Sequence, residues 1–256
     1  MIIQEKFITD LLSRGKRIDG RKADEVRKIV IERNPSEKAE GSAFVTYGKT
    51  KVVAGVKLGM GEPFQDKPDE GVLITSAEFS PISSPEFEPG PPSDDSIEVA
   101  RVVDRGIRES GMIDMKKMCI EKGEKVWMVN VDIQILDNFG NLIDAAALAS
   151  TVAILEARFP KVEDGTIVYG EKSTKKLPVK YKPIAITLGK IGDHLVVDPD
   201  REEEKAEKGR LTITTRDDGN VCAIQKGGRG ALSIEDIEKA LDLAVEKGAE
   251  IRAMLK

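Results

Sequence analysis

Twice along this chain a series of alternating, β-branched runs gives way to a long helix-forming segment, with short turns between. Alternation with period two marks half-buried strands, whereas apolar residues at i, i+3, i+4 and i+7 mark a helix face. A chain that sets the two patterns down in that order, twice, fits an α+β fold of two similar β-α halves. The first series runs from Val26 to Ile31, through a hairpin over 41–59 turning at Gly48-Lys49, into GVLITSAEF. KVWMVNVDIQIL follows, with Trp127, Val129, Val131, Ile133 and Ile135 on one face, and then a helix from Leu142 to Phe159. Trp127, on a strand, reads as core. The second series comprises strands at Ile184–Leu188 and Leu195–Val197, then LTITT and VCAIQ around the turn at Asp217–Asn220. It closes with a helix from Ser233 to Leu255, whose apolar stripe is Ile234, Ile237, Leu241, Ala244, Val245, Ile251 and Leu255. A short amphipathic helix at 5–13, packing through Phe7, Ile8, Leu11 and Leu12, precedes everything. Residues 160–180 are charged and read as an irregular connection. The two units are therefore placed at 27–165 and 180–253.

A net charge of −5 argues against general nucleic-acid coating, so any nucleic-acid contact must be a local basic strip. The two cysteines, Cys119 and Cys222, and the single histidine, His194, exclude a disulfide framework and a Cys/His zinc site. A reducing, cytoplasmic setting is expected, with a lean toward a thermophile from the high charge content. No signal core is visible in MIIQEKFITDLLSRGKR, and the apolar run Ala145–Leu155 is too short to span a bilayer, so no membrane partner is expected.

The local strip is offered by PEFEPGPPSDDSIEVARVVDRGIRES, residues 85–110. A proline-glycine turn leads into a helix for which Asp95 can act as cap and Glu98 can complete a capping box. Val99, Val103 and Ile107 share its packing face. Arg101, Arg105 and Arg108 lie at i, i+4 and i+7 on another, three planar forks suited to phosphate oxygens. Glu98, Asp104 and Glu109 are close in sequence, so spacing alone favours an ion-paired, solvated face over a phosphate-binding one.

Other candidate features carry less. His194 beside Asp193 reads as a turn or surface residue, with no nucleophile-base-orienter series around it. Gly227-Gly228-Arg229-Gly230 lacks the ending of a P-loop and reads as a strand-to-helix turn. The acids of LVVDPDREEE, Asp198 and Glu204 among them, fit a solvated turn better than a metal site. RIDGR, residues 17–21, admits a nucleic-acid contact or an ion-paired turn equally.

RIDGR at 17–21, EGSAFVTYGKTKVVAGV at 40–56, FEPGPPSDDSIEVARVVDRGIRES at 87–110, DNFGNLIDAAALA at 137–149, LVVDPDREEE at 195–204 and GRGALS at 228–233 occur in that order. Together they resemble the RNase PH family, and within it the non-catalytic RNase PH-like subunits of the archaeal exosome. The resemblance implies the RNase PH fold, of the ribosomal protein S5 domain 2-like type, with its two β-α halves in a pseudo-two-fold arrangement. It implies a ring of three heterodimers with a catalytic RNase PH-like partner, RNA-binding cap subunits, and single-stranded RNA degraded from its 3′ end by phosphorolysis. Phosphate and a divalent metal would belong to the partner's active site, and this chain would need no cofactor. Arg101 and Arg105 match arginines that hold RNA near the neighbour's site, a role extended here to Arg108.

Catalytic members place a phosphate pocket after an aspartate, using Gly-Gly-Ser/Thr-Arg at a helix N-terminus. Here the segment reads Asp137-Asn138-Phe139-Gly140-Asn141-Leu142-Ile143-Asp144, with no Lys or Arg between Asp137 and Ala157. Asp144 brings negative charge where phosphate would sit. Asp198 and Glu204 match the positions of two family acids, Glu204 standing where catalytic members carry aspartate, and they read as remnants of that site. The expectation is thus a non-catalytic, RNA-binding ring subunit. A weakly active phosphorolytic exoribonuclease and a scaffold without RNA contacts are the alternatives.

Overall fold

One helix, Leu142–Glu156, is apolar on nearly every side, and a helix of that kind must be enclosed. The computed structural model, which describes residues 2–255, encloses it between two sheets. The first half contains α1 (Ile2–Ser13), β1 (Ile29–Arg33), β2 (Gly41–Tyr47), β3 (Thr50–Gly61), β4 (Val72–Phe79) and α2 (Asp94–Ser110). It continues with β5 (Cys119–Glu121), β6 (Lys125–Asp137), the central helix as α3, β7 (Arg158–Glu163) and β8 (Thr166–Lys176). The second half contains β9 (Ile184–Ile191), β10 (His194–Val197), α4 (Arg201–Ala206), β11 (Gly209–Thr215), β12 (Val221–Gly228) and α5 (Ile234–Ala253).

The first sheet has the order β1-β2-β3-β6-β4, antiparallel except for the parallel β4–β6 pair, with β5 also on β6. Its register sets Val52 opposite Ile135, Ala54 opposite Ile133, Val56 opposite Val131 and Leu58 opposite Val129. All of these are buried, because a strand's alternate residues share one face and here that face meets α3. Each fully buried Val or Ile contributes about 1.5–3 kcal/mol, so this stripe dominates the stability of the half. The second sheet, β10-β9-β11-β12, is antiparallel and packs against α3 and α5. α2 lies beside α3 and reaches both β4 and β12, so it joins the halves.

The expected two-fold series of strands and helices is present, with differences that have physical causes. Residues 158–176 form a two-stranded hairpin instead of an irregular connection. It turns at Asp164-Gly165, both with positive φ, and its polar strands bury little beyond Phe159 and Pro160. The helix predicted to reach Phe159 stops at Glu156, freeing Phe159 to pack on Trp127 at 5.1 Å. The strand predicted at Val26–Ile31 occupies Ile29–Arg33. α2 is capped by Ser93, whose side chain accepts from the Ser96 amide, so Asp95 lies inside the helix and Glu98 forms no capping box. Its core face is as expected, with Val99, Val103 and Ile107 buried and Val102 beside them.

On α1, Ile8 and Leu12 are buried against Ile191, Val196 and Ala206, while Phe7 faces outward at 56% exposure. On α5, Ala240, Ala244 and Ile251 pack inward, as does Leu255 just beyond its end. Ile234, Ile237 and Val245 are exposed, because the helix turns a narrower face to its sheet than the stripe suggests. Among the described residues, no helix is long and apolar enough to cross a membrane.

Candidate nucleic-acid interface and an occupied anion site

The turn from β6 into α3 is where a helix N-terminus would meet an anion. Asn141 caps the helix from the left-handed region, its side chain accepting from the Asp144 amide. The Asn141 amide itself donates to the Glu204 carboxylate at 2.7 Å. Glu204 comes from α4, a six-residue helix that Asp200 and Glu203 start with a capping box, and it is held by Arg201 at 3.1 Å. A carboxylate of the chain itself therefore occupies the N-terminal anion position of α3.

Asp144 closes the same place from within. It is buried, and it accepts from the Thr187 amide at 2.8 Å, the Thr187 hydroxyl at 2.7 Å and the Asn141 amide group at 2.8 Å. Burial pushes its carboxyl up to about 7, against the pull of those hydrogen bonds, and the nearby Asp198 charge adds to the rise. Burial likewise raises the Glu204 carboxyl, opposed by the Asn141 amide and Arg201.

Asp198 follows β10, has a φ of 52° and is fully buried. Its carboxylate accepts from Arg21 Nη1 at 2.8 Å, from Arg27 through its amide, Nε and Nη2, and from Asn141 Nδ2 at 2.8 Å. Arg17, fully enclosed as well, forks onto Glu203 through Nε at 2.8 Å and Nη2 at 2.5 Å and also donates to the Val197 and Asp198 carbonyls. RIDGR is thus an internal clasp between the N-terminal segment and the second half. Its arginines engage Glu203 and Asp198, and Asp19 supports Arg21 at 2.6 Å.

The solvated turn predicted for LVVDPDREEE is overturned by the same contacts, since arginines far away in sequence supply its counter-charges. The metal that the family pattern would bring to Asp198 and Glu204 does not fit here. Both Asp198 oxygens are saturated by nitrogen donors, and Glu204 holds an amide and a guanidinium. Among the described residues no three His, Cys, Asp or Glu side chains converge on a common point as metal ligands.

Beside this turn lies a cavity of about 180 Å³ lined by Asp95, Glu98, Glu204, Glu207, Arg201 and Arg210, with Phe79 and Phe87 on its apolar side. Arg210 pairs with Glu98 at 2.7 Å. Glu207 has one buried oxygen without a hydrogen-bond partner, and its carboxyl is pushed up to about 8, mainly by burial. With Arg201 already paired to Glu204, Arg210 to Glu98, and Asp95 beside them, this space is unfavourable for phosphate.

On the outer face of α2, Arg101 and Arg105 line two shallow grooves, one toward Gln225 and the other toward Thr75 and Arg108. Arg101 is exposed and makes no side-chain hydrogen bond or ion pair among the described residues. Arg105, half-buried, donates through Nη1 to the Gln225 side-chain carbonyl at 2.5 Å. Arg108 is tied to Asp104 and to the Leu73 carbonyl. Of the acids close to the row, Glu98 is drawn away by Arg210, whereas Asp104 neutralises Arg108, the last member of the row, and leaves Arg101 and Arg105. His194 sits at the start of β10, 3.3 Å from the Ser13 hydroxyl, outside any such cluster. In the glycine-rich 227–230 segment, Gly227 and Gly228 end β12, paired with Arg210 and Gly209, and only Arg229-Gly230 begin the turn toward α5.

Residues 25–160 match the model of domain 1 of the RNase PH, or 3′ exoribonuclease, family, and residues 182–247 match its domain 2. The chain belongs to the RNase PH family. A relative from Thermoplasma acidophilum, an exosome complex component Rrp42, is 50% identical over 250 residues, covering 98% of this chain and 94% of the relative. The Rrp42 of Methanothermobacter thermautotrophicus is 49% identical over 247 residues, covering 96% and 91%. A chain in the solved Archaeoglobus fulgidus exosome with RNA bound to the active site superposes with a TM-score of 0.93 at 46% identity, covering 99% of this chain and 98% of that one. This RNase PH-family chain thus has the fold expected from its motifs. Sequence reasoning missed the Arg17, Arg21 and Arg27 clasp around Asp198 and Glu203. Two arginines in RIDGR and a third shortly after were the visible part of it.

Proposed function

We propose that this chain is a non-catalytic subunit of an archaeal-type exosome, completing a ring of three heterodimers with a catalytic RNase PH-like partner. In that ring it shapes the partner's active site and helps hold single-stranded RNA for 3′→5′ phosphorolytic degradation. Phosphate and a divalent metal act at the partner's site, in the cytoplasm, and RNA-binding cap subunits deliver substrate. The observation that carries the reading is the Glu204 carboxylate on the Asn141 amide, because it puts a fixed anion where the attacking phosphate would have to bind. Asp144 deepens the exclusion, and the segment 137–157 contributes no cation to reverse it.

The RNA part of the proposal rests on Arg101 and Arg105, with Arg108 at the end of the row. Guanidiniums directed at the backbone bind charge without reading bases, as a processive exonuclease requires. The names of the relatives support a place in an exosome, and the RNA-bound assembly of the related chain supports a place beside RNA.

The test incubates labelled single-stranded RNA with phosphate and magnesium and follows nucleoside diphosphate release. The expected result is no release by this chain alone, and release in the mixture with its RNase PH-family partner above the partner's own rate. Phosphate-dependent release by the chain alone overturns the non-catalytic reading.

A further inference from the structure

The three arginines of α2 do not present the same edge. A guanidinium makes its two parallel bonds to a phosphate with the Nε and Nη2 hydrogens, or with its two Nη groups. Arg105 is fixed through Nη1 alone, by the Gln225 side-chain carbonyl at 2.5 Å, and its Nε–Nη2 edge carries no partner among the described residues. Gln225 is neutral, so the contact orients the guanidinium plane and leaves its charge whole.

In Arg108 the Nε–Nη2 edge is consumed, Nε donating to Asp104 Oδ2 at 3.0 Å and Nη2 to Asp104 Oδ1 at 2.9 Å. The Leu73 carbonyl takes a further Nη2 bond at 3.0 Å, and the Thr75 hydroxyl donates to Asp104 Oδ1 at 3.2 Å, steadying the carboxylate. Both clamps connect α2 to a sheet, Gln225 through β12 and Asp104 through β4.

Building on the proposed RNA role, we infer that Gln225 is a positioning residue that presents Arg105 to RNA phosphate, and that Asp104 withdraws Arg108 from the row. The face then offers one mobile guanidinium, Arg101, and one preorganised guanidinium, Arg105. Fixing a long side chain beforehand removes part of the ordering cost of binding.

Two double-mutant cycles test this, using the full chain assembled with its RNase PH-family partner and a labelled single-stranded oligoribonucleotide titrated over a range of salt. Gln225 sits half-exposed on an edge strand, and Gln225→Leu should assemble normally. Gln225→Leu is expected to weaken binding about threefold to tenfold, the loss of one ordered side chain, and to add nothing in an Arg105→Ala background. Asp104→Asn is expected to tighten binding and steepen the dependence of log K on log salt by about 0.7, one more phosphate contact. That gain should vanish in an Arg108→Ala background.

Equal losses from Gln225→Leu with and without Arg105, or an unchanged slope in Asp104→Asn, overturn the inference. If instead Arg105→Ala and Arg101→Ala both leave binding untouched, the RNA role beneath it fails, and the two failures are told apart in the same titrations.

Discussion

Arg27 grips Asp198 with a fork and an amide at once, Nη2 to Oδ1 at 2.6 Å, Nε to Oδ2 at 2.9 Å and its own N–H to Oδ2 at 2.9 Å. Nη1 and Nη2 also donate to the Phe139 and Gly140 carbonyls. One arginine thereby fastens the segment before β1 to the turn that starts α3 and to the end of β10. In a buried pair of this kind the two charges repay their desolvation only while both are present.

Asp198→Ala should therefore unfold the chain more easily, by about 3–5 kcal/mol, because Arg27 is left buried without a counter-charge and Arg21 keeps only Asp19. Denaturant midpoints of the isolated chain measure it. Asp198→Asn keeps acceptors for part of the network and should lose less. A substitution that removed a catalytic acid alone would leave the midpoint in place.

Gly140 is constrained by the same junction. Its φ is +87°, and a Cβ there would lie 2.5 Å from the Arg201 amide nitrogen and 2.5 Å from the Asp200 carbonyl carbon. Gly140→Ala must move the α3 turn away from α4, and a loss of about 2–4 kcal/mol is expected from backbone strain and overpacking together. The Glu204 contact to Asn141 should weaken with it. A thermal midpoint within error of the parent chain would show that the two turns can separate freely.

These buried contacts mark the limit of what the sequence alone could tell. The β6 strand and α3 were legible because their apolar periodicity reports local geometry directly, and the register of β3 on β6 follows from it. Asp198 and Glu203 look, in sequence, like any solvated acids after a strand. Arg17 pairs with Glu203 across 186 residues and Arg21 with Asp198 across 177, distances over which no local pattern carries information. The β7–β8 hairpin was obscured for the opposite reason. Most of its residues face solvent, so no alternation shows, and only Asp164-Gly165 signals the turn. Ser93 and Asp95 are both good caps, and only the backbone geometry decides between them.

The raised carboxyls predict how stability depends on pH. Asp144 moves from 3.8 to about 7 and Glu207 from 4.5 to about 8, both chiefly through burial. Between those limits the folded chain keeps protons that the unfolded chain has lost, so this contribution to stability falls as pH rises from about 4 to 8. Glu207→Gln cannot ionise and should match the parent chain near pH 4. Above pH 8 it should exceed the parent by up to about 5 kcal/mol, since each tenfold gain in proton affinity on folding is worth about 1.4 kcal/mol. Urea midpoints across that range decide it; a constant difference between the two proteins would mean Glu207 ionises normally in the fold.

Arg101 and Arg105 should act additively through charge on the assembled ring. Neither is neutralised by an acid of its own helix, since Glu98 is drawn to Arg210 and Asp104 to Arg108. Replacing both by alanine removes up to two phosphate contacts per copy, which for a single strand lowers the slope of log K against log salt by about 1.4. Neither side chain supports the core, as Val99, Val103 and Ile107 do that on the other face, so ring assembly should persist. Filter binding at several salt concentrations gives the slope, and size-exclusion chromatography of the same samples reports assembly. An intact ring with unchanged slope would leave α2 as an ion-paired surface and move the RNA path elsewhere in the assembly.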